Sequence, residues 1–245
     1  MRNLIILMPL IITCFISCSE DSPLSDTGVT DPSLIKPVIQ LYSHRNSGSA
    51  YKTERVEVFL YDKNNNTVRL KNGGVYINDQ KMIVKDLLFS SGTYYSGIEV
   101  IPKIETNKSY SIKIELDDDS PYYADITTQA KDLVVVNAPD KHSKSNDLQI
   151  SWEDIDPDLD LTLVIGIHYT KEGQGAYEGK ILTIPDNNLT TGDFTISSAY
   201  FNAQPNTYSI TVELVSEISG QVDKAFMNGS KVTSIFSVSS EVEIE

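Results

Sequence analysis

Asp154, Asp156, Asp158 and Asp160 stand at every second position of one short stretch, the spacing at which carboxylates converge on a hard cation at the start of a calcium loop. The rest of such a loop is missing. Counted from Asp154, the sixth position is Leu159 instead of glycine and the twelfth is Ile165 instead of glutamate; counting from Asp156 gives Leu161 and Ile167. The stretch reads first as an acidic turn around Pro157, with calcium as the weak alternative and no other cofactor indicated. Gly173, Gly175 and Gly179 have the wrong spacing for a dinucleotide loop, and no helix follows to hold phosphate, so they read as a flexible loop. His44, His142 and His168 fall in no metal-binding pattern; the first two read as loop residues, and His168 as a solvated strand residue opposite Leu163, Ile165 and Ile167. No catalytic residue is assigned, and the chain reads as a non-enzyme.

Aromatic side chains rise above this background, with 13 tyrosines in the chain. Side chains of a strand alternate between its two faces. Val56, Val58 and Leu60 therefore leave Phe59 and Tyr61 on the opposite face with Glu57. Ile98 and Val100 carry Tyr94 with them and leave Tyr95 beside Glu99; Ile126 carries Tyr122 and leaves Tyr123 beside Asp125. Phe59, Tyr61, Tyr95 and Tyr123 are thus the candidate ligand-contacting aromatics, flat surfaces that stack on sugar rings or anchor a protein. The competing reading is that neighbouring strands cover them.

From Leu34 onward the pattern is short alternating runs separated by Gly, Asn, Asp and Pro, the mark of an all-β protein. One phrase recurs: Tyr110-Ser-Ile-Lys-Ile-Glu-Leu116 returns 98 positions later as Tyr208-Ser-Ile-Thr-Val-Glu-Leu214. That spacing suits one β-sandwich and predicts two of them, residues 35–136 and 137–245, with Pro139 at the hinge. A single larger sandwich is the alternative. Leu148-Gln-Ile-Ser-Trp152 followed by Leu161–Ile167 resembles the early strands of an immunoglobulin-like or fibronectin-III-like domain with its core tryptophan, and Tyr110 and Tyr208 resemble the tyrosine-corner position of such domains.

Arg2 followed by the apolar run Leu4–Ile16 is too short to span a bilayer and reads as an export signal over residues 1–17. Phe15-Ile16-Ser17-Cys18 resembles the bacterial lipobox, which implies acylation (palmitate) of Cys18; a lipobox ending at Cys14 and an ordinary secretory signal are the rivals. The only cysteines are these two, so the mature chain is left without disulfides or a cysteine metal site. Residues 18–34, rich in Ser, Asp, Thr and Pro, have the composition of a disordered tether. A formal net charge of −14 argues against nucleic acid as a partner.

Taken together the chain resembles surface lipoproteins that accompany glycan-uptake systems in Gram-negative bacteria. The resemblance implies an outer-membrane lipoprotein of the cell envelope, held in lipid through Cys18, that acts as a non-catalytic binding or spacer module and captures extracellular polysaccharide. The alternatives are an adhesion or assembly scaffold contacting an envelope protein, and an accessory to a hydrolase or a weak metal-dependent enzyme.

Overall fold

In a computed structural model, described for residues 22–87, 92–153, 156, 159–184 and 192–245, the chain is almost entirely β. Cys18, Asp154 and Asp158 lie outside the described residues. The strands are β1 (Lys36–Asn46), β2 (Lys52–Tyr61), β3 (Gly74–Ile77), β4 (Gln80–Lys81), β5 (Ile83–Asp86), β6 (Thr93–Ser96), β7 (Ser109–Glu115), β8 (Pro121–Thr127) and β9 (Val136–Asn137). They continue with β10 (Lys141–His142), β11 (Leu148–Trp152), β12 (Leu161–Lys171), β13 (Gln174–Thr183), β14 (Asp193–Ile196), β15 (Thr207–Ser219), β16 (Gln221–Val222) and β17 (Lys231–Ile244). Among the described residues two short α-helices, α1 (Leu24–Thr27) and α2 (Ser198–Asn202), and a 3-10 turn (Pro32–Leu34) accompany them. No helix among the described residues is long and apolar enough to cross a membrane.

The strands form an all-β sandwich of three sheets. A long sheet runs β13-β12-β15-β17-β1-β2-β6-β5, with β10 added alongside β17; a second runs β16-β8-β7-β3-β4 and a third β14-β11-β9. If β1 to β8 are lettered A, B, C, C′, D, E, F and G along the chain, the first half has A-B-E-D in one layer and C′-C-F-G in the other. In the second half, β9, β11 and β14 supply A, B and E, and the opposing layer is β13-β12-β15-β17. The first half follows the A-B-E-D and C-F-G orders of immunoglobulin-like sandwiches, whereas the second has no D strand among the described residues.

The two layers exist because one face of each strand is apolar. Ile39 and Leu41 on β1, Val56, Val58 and Leu60 on β2, and Leu163, Ile165 and Ile167 on β12 join Val232, Phe236 and Val238 of β17 in one buried cluster. The smaller sheets add Val75, Ile77, Ile112 and Ile114 from one half, and Leu148, Ile150 and Trp152 from the other. Each side chain buried this way is worth roughly 1.5–3 kcal/mol.

The hinge expected at Pro139 is not how the halves are connected. β1 pairs in parallel with β17 from Val38↔Lys231 to Asn46↔Ser239, while β15 pairs with the other side of β17 from Ser209↔Glu243 to Ser219↔Thr233. β9 straddles the expected boundary and pairs with β11. The halves thus share one hydrogen-bonded sheet, and the same parity points inward along its whole width.

The expected tether is also docked from Ser22 onward. Ser22 N–H donates to the Thr67 carbonyl (2.8 Å) and its hydroxyl to Asp62 Oδ2 (2.7 Å). Val29 N–H donates to Asp117 Oδ2 (2.6 Å), and Val29 and Ile35 are fully buried. The polar composition misleads because these two apolar side chains, together with buried Ser22, find partners on the folded part. Asp62 and Asp117 themselves sit at turns: Asp62 accepts from the N–H of Asn64 and Asn66, and the β7–β8 hairpin turns at Asp119 with φ 65°. The glycine loop after Lys171 is a two-residue turn, Glu172-Gly173 with both φ positive, and Gly175 and Gly179 are strand residues of β13.

Candidate functional site: the outer face of the long sheet

Alternation on β2 sends Glu57, Phe59 and Tyr61 to the face of the long sheet away from the core, as their spacing predicts. Phe59 stacks on Tyr61 (centroids 5.9 Å, 7° between planes) and on Tyr94 of β6 (5.5 Å, 21°). Three half-buried rings on neighbouring strands therefore make one stacked strip, their planes nearly parallel. Lys36 Nζ stands 5.6 Å from the Tyr61 centroid and donates to Asn65 Oδ1 (2.6 Å). Burial pushes the Glu57 carboxyl above its ordinary pKa; burial, and then Glu57, push the Tyr61 phenol up. At the rim Lys85 pairs with Glu99, which also accepts from Ser96 Oγ (2.8 Å).

Tyr95, expected outside, is buried at 2% exposure, and its Oη accepts a hydrogen bond from Leu70 N–H (2.8 Å). Tyr94 takes the outer place. The phase inverts because β6 ends at Ser96: Val100 and Ile101 N–H both bond back to the Gly97 carbonyl, so Ile98 and Val100 belong to a turn and do not continue the alternation. Tyr123 is 46% exposed as expected, but on β8, in the opposite layer. Its cross-strand neighbour there is Lys113, whose Nζ lies 4.1 Å from the Tyr76 centroid. The four expected aromatics therefore do not share one patch; Phe59 and Tyr61 do, with Tyr94.

Further along the same face, His44 is a residue of β1 and not of a loop. It stacks on Tyr42 (6.2 Å, 10°), its Nδ1 meets Ser237 Oγ at 2.8 Å and Glu213 Oε1 at 3.4 Å, and its Nε2 lies 3.4 Å from Ser239 Oγ. Arg55 sits 4.7 Å over the Tyr42 ring, and burial, then Glu213, push the Tyr42 phenol up to about 12. Serine, histidine and glutamate in this order resemble an acyl-transfer relay, yet Ser239 is buried, hydrogen-bonds to Asn46 Oδ1 (3.2 Å), and lies on a strand paired on both sides. The neighbouring N–H groups are committed to ladders, not gathered to hold an oxyanion. The cluster is a polar clamp across β1, β17 and β15.

No protein-family model and no curated protein matches this chain.

At the far end of the face His168 is half-buried beneath two rings, Tyr177 (5.1 Å) and Tyr208 (6.4 Å), and its Nε2 meets Thr211 Oγ1 at 3.0 Å. Burial pushes its pKa down, and Glu241 partly offsets this. Gly166 makes room for the stack, since a Cβ there would lie 2.7 Å from the Tyr177 ring. Tyr208 does not repeat the corner role of Tyr110. Tyr110 is buried and its Oη accepts from Glu105 N–H (2.8 Å), whereas Tyr208 is 48% exposed. The reason is a β-bulge: His168 pairs with Ser209 but Tyr169 with Thr207, which leaves Tyr208 as the extra residue and turns it outward. Thr207 holds the corner instead, donating to the Phe201 and Gln204 carbonyls.

Of the alternating aspartates, Asp156 and Asp160 are described; the Asp156 carbonyl accepts from Leu159 N–H (3.2 Å) in a turn. Among the described residues no group of three His, Cys, Asp or Glu is placed to hold a metal. The strip residue Tyr94 was hidden by the Gly97 turn, and buried Glu213 by its match to the partly exposed Glu115 in the repeated phrase. The outward run Tyr42, His44 was legible in β1, whose Ile39 and Leu41 define the inner face.

Proposed function

We propose that this chain is a lipid-anchored protein of the bacterial outer membrane that binds polysaccharide, without catalysis, on the strip Phe59–Tyr61–Tyr94. The observation that supports this reading is the strip itself: three stacked, half-buried rings with nearly parallel planes on the outer sheet face, with Lys36 and Lys85 at its edges. Sugar rings stack their apolar faces on such surfaces while rim groups meet their hydroxyls. Acylation at Cys18 supplies the anchor in this reading. The four peptide units from Cys18 to docked Ser22 span at most about 14 Å, so the lipid would hold the fold close to the bilayer and not on a long stalk.

The test is affinity electrophoresis of the protein against a panel of soluble polysaccharides. Phe59→Ala and Tyr94→Ala are each expected to weaken binding about 3- to 10-fold with the fold intact, and Tyr123→Ala to leave it unchanged. Absence of binding to every polysaccharide, or equal loss in Tyr123→Ala, overturns the reading. Separately, Cys18→Ala is expected to abolish labelling by palmitate; efficient labelling of that variant overturns the anchor.

One observation favours the scaffold reading as the second choice. β13 is a ten-residue strand at the edge of the long sheet, with Ile181 65% exposed, and such an edge can take on a strand from another protein.

A further inference from the structure

A depression of about 410 Å³ opens on the outer face at the β15–β17 end, lined by Asp140, Tyr208, Ser209, Glu241 and Glu243. Its floor and walls follow from register. Ser209 pairs across the ladder with Glu243, and Thr211 with Glu241, so the two carboxylates flank the serine on one face. Asp140 is brought in by its carbonyl, which accepts from Glu243 N–H (2.9 Å). The bulge then swings the Tyr208 ring out to form the remaining wall.

Two features of this place are unexplained by folding alone. Ser209 is only 6% exposed, and its hydroxyl has no hydrogen-bond partner within the protein. A buried hydroxyl left in this state costs roughly 1–3 kcal/mol. In addition, among the described residues the ion pair made by these three carboxylates is that of Lys141, which lies 3.5 Å from Glu243 but is drawn more closely to Glu245 at 2.7 Å. The lining residues thus combine an excess of negative charge, an exposed aromatic face and an unused hydroxyl.

We infer that this depression binds an organic ammonium group, the cation resting against the Tyr208 ring between Glu241 and Glu243 with Ser209 Oγ accepting one of its N–H bonds. An ammonium answers each feature at once: its charge meets the carboxylates, its N–H donors meet the hydroxyl, and its attached carbon frame meets the ring. The volume admits one amino-sugar ring or one amine side chain. A bare metal ion would leave the aromatic wall unused, and a neutral sugar would leave the charge unanswered. The site is separate from the Phe59–Tyr61–Tyr94 strip, and the inference does not depend on polysaccharide binding there.

The probes are the glucosamine trisaccharide, its fully N-acetylated counterpart and lysinamide, each titrated into the intact protein while amide shifts are followed by NMR. Saturable shifts at Tyr208 and Ser209 with the two ammonium probes, and none with the acetylated sugar, are expected. Glu241→Gln and Glu243→Gln should each weaken binding about 2- to 5-fold, and Tyr208→Ala about 3- to 10-fold, whereas Tyr208→Phe should keep most of it. These side chains are at the surface, so the variants keep the fold, and unchanged shifts elsewhere check this. Phe59→Ala should have no effect, which separates this site from the strip. Binding of the sugar alone and not lysinamide would assign the amine to a glycan, and binding of both to ammonium in general; either supports the inference. Equal shifts at Tyr208 and Ser209 with the acetylated sugar, unchanged affinity in both Gln variants, or no shifts there up to about 10 mM probe overturns it.

Discussion

Replacing Tyr110 with phenylalanine removes one oxygen atom from the first half of the core and nothing else. Tyr110 is 1% exposed, and its Oη accepts the Glu105 N–H at 2.8 Å, fixing the loop that leads into β7. The ring remains, so no cavity of consequence opens. What is lost is one hydrogen bond, worth about 0.5–1.5 kcal/mol, plus part of the cost of leaving the Glu105 N–H without a partner. The sum is about 1–2 kcal/mol, which for a chain of this size lowers Tm by roughly 2–8 °C. Tyr208→Phe is the matched control, since the same phrase surrounds it but its ring is turned out by the bulge; its cost should stay within about 0.5 kcal/mol. Urea unfolding followed by Trp152 fluorescence gives the readout. Trp152 is the only tryptophan and lies in the second half, so a shift caused by Tyr110→Phe also reports that the shared sheet unfolds as one unit. Equal shifts for the two variants, or a Trp152 transition indifferent to Tyr110→Phe, would refute the reasoning.

Asp117→Asn tests the docked segment. Burial would raise this carboxyl, but the N–H groups of Gly73, Val29, Asn72 and Lys71 outweigh it and hold the pKa below the ordinary value. A carboxyl depressed in the folded state stabilises above its unfolded pKa of about 3.9 and loses that contribution as pH falls toward the folded value. The variant should therefore be less stable than the native chain by about 1.5–3 kcal/mol near neutrality, with the gap closing below about pH 4 in urea titrations; a gap independent of pH would sink the account. Gly220→Ala places a Cβ 2.2 Å from the Asp125 carbonyl oxygen, a backbone atom that cannot rotate away. A loss of about 1–3 kcal/mol by thermal melting is expected, and a neutral result would mean that β16 is free to shift from β8.

Much of the layer structure was legible because alternation is local. Val56, Val58 and Leu60 set the faces of β2, and the Tyr110 and Tyr208 phrases both proved to be strands of the same rank in their halves. Legibility ended where a phase had to be carried through a break. The Gly97 turn exchanged Tyr94 and Tyr95, and the bulge exchanged Tyr208 for Thr207, each a one-residue slip that sends a side chain to the other face. Composition failed for residues 22–34, since two apolar residues and one carboxylate cradle suffice to dock a polar segment. The union of β1 with β17 had no local sign at all; long-range pairing leaves no mark on the spacing of either strand.

That union sets the order in which the molecule can be completed. β1 is paired with β2 on one side and with β17 on the other, and β15 likewise has β12 and β17. Until residues 231–244 arrive, two long strands in the middle of the future sheet present bare N–H and C=O rows, the condition under which chains pair with one another instead of with themselves. Closing the gap between β1 and β17 spans most of the chain, so the step is slow for a reason of topology and not of stability. A fragment of residues 35–136, however well its own layers are filled, would carry the β1 edge open for its whole life.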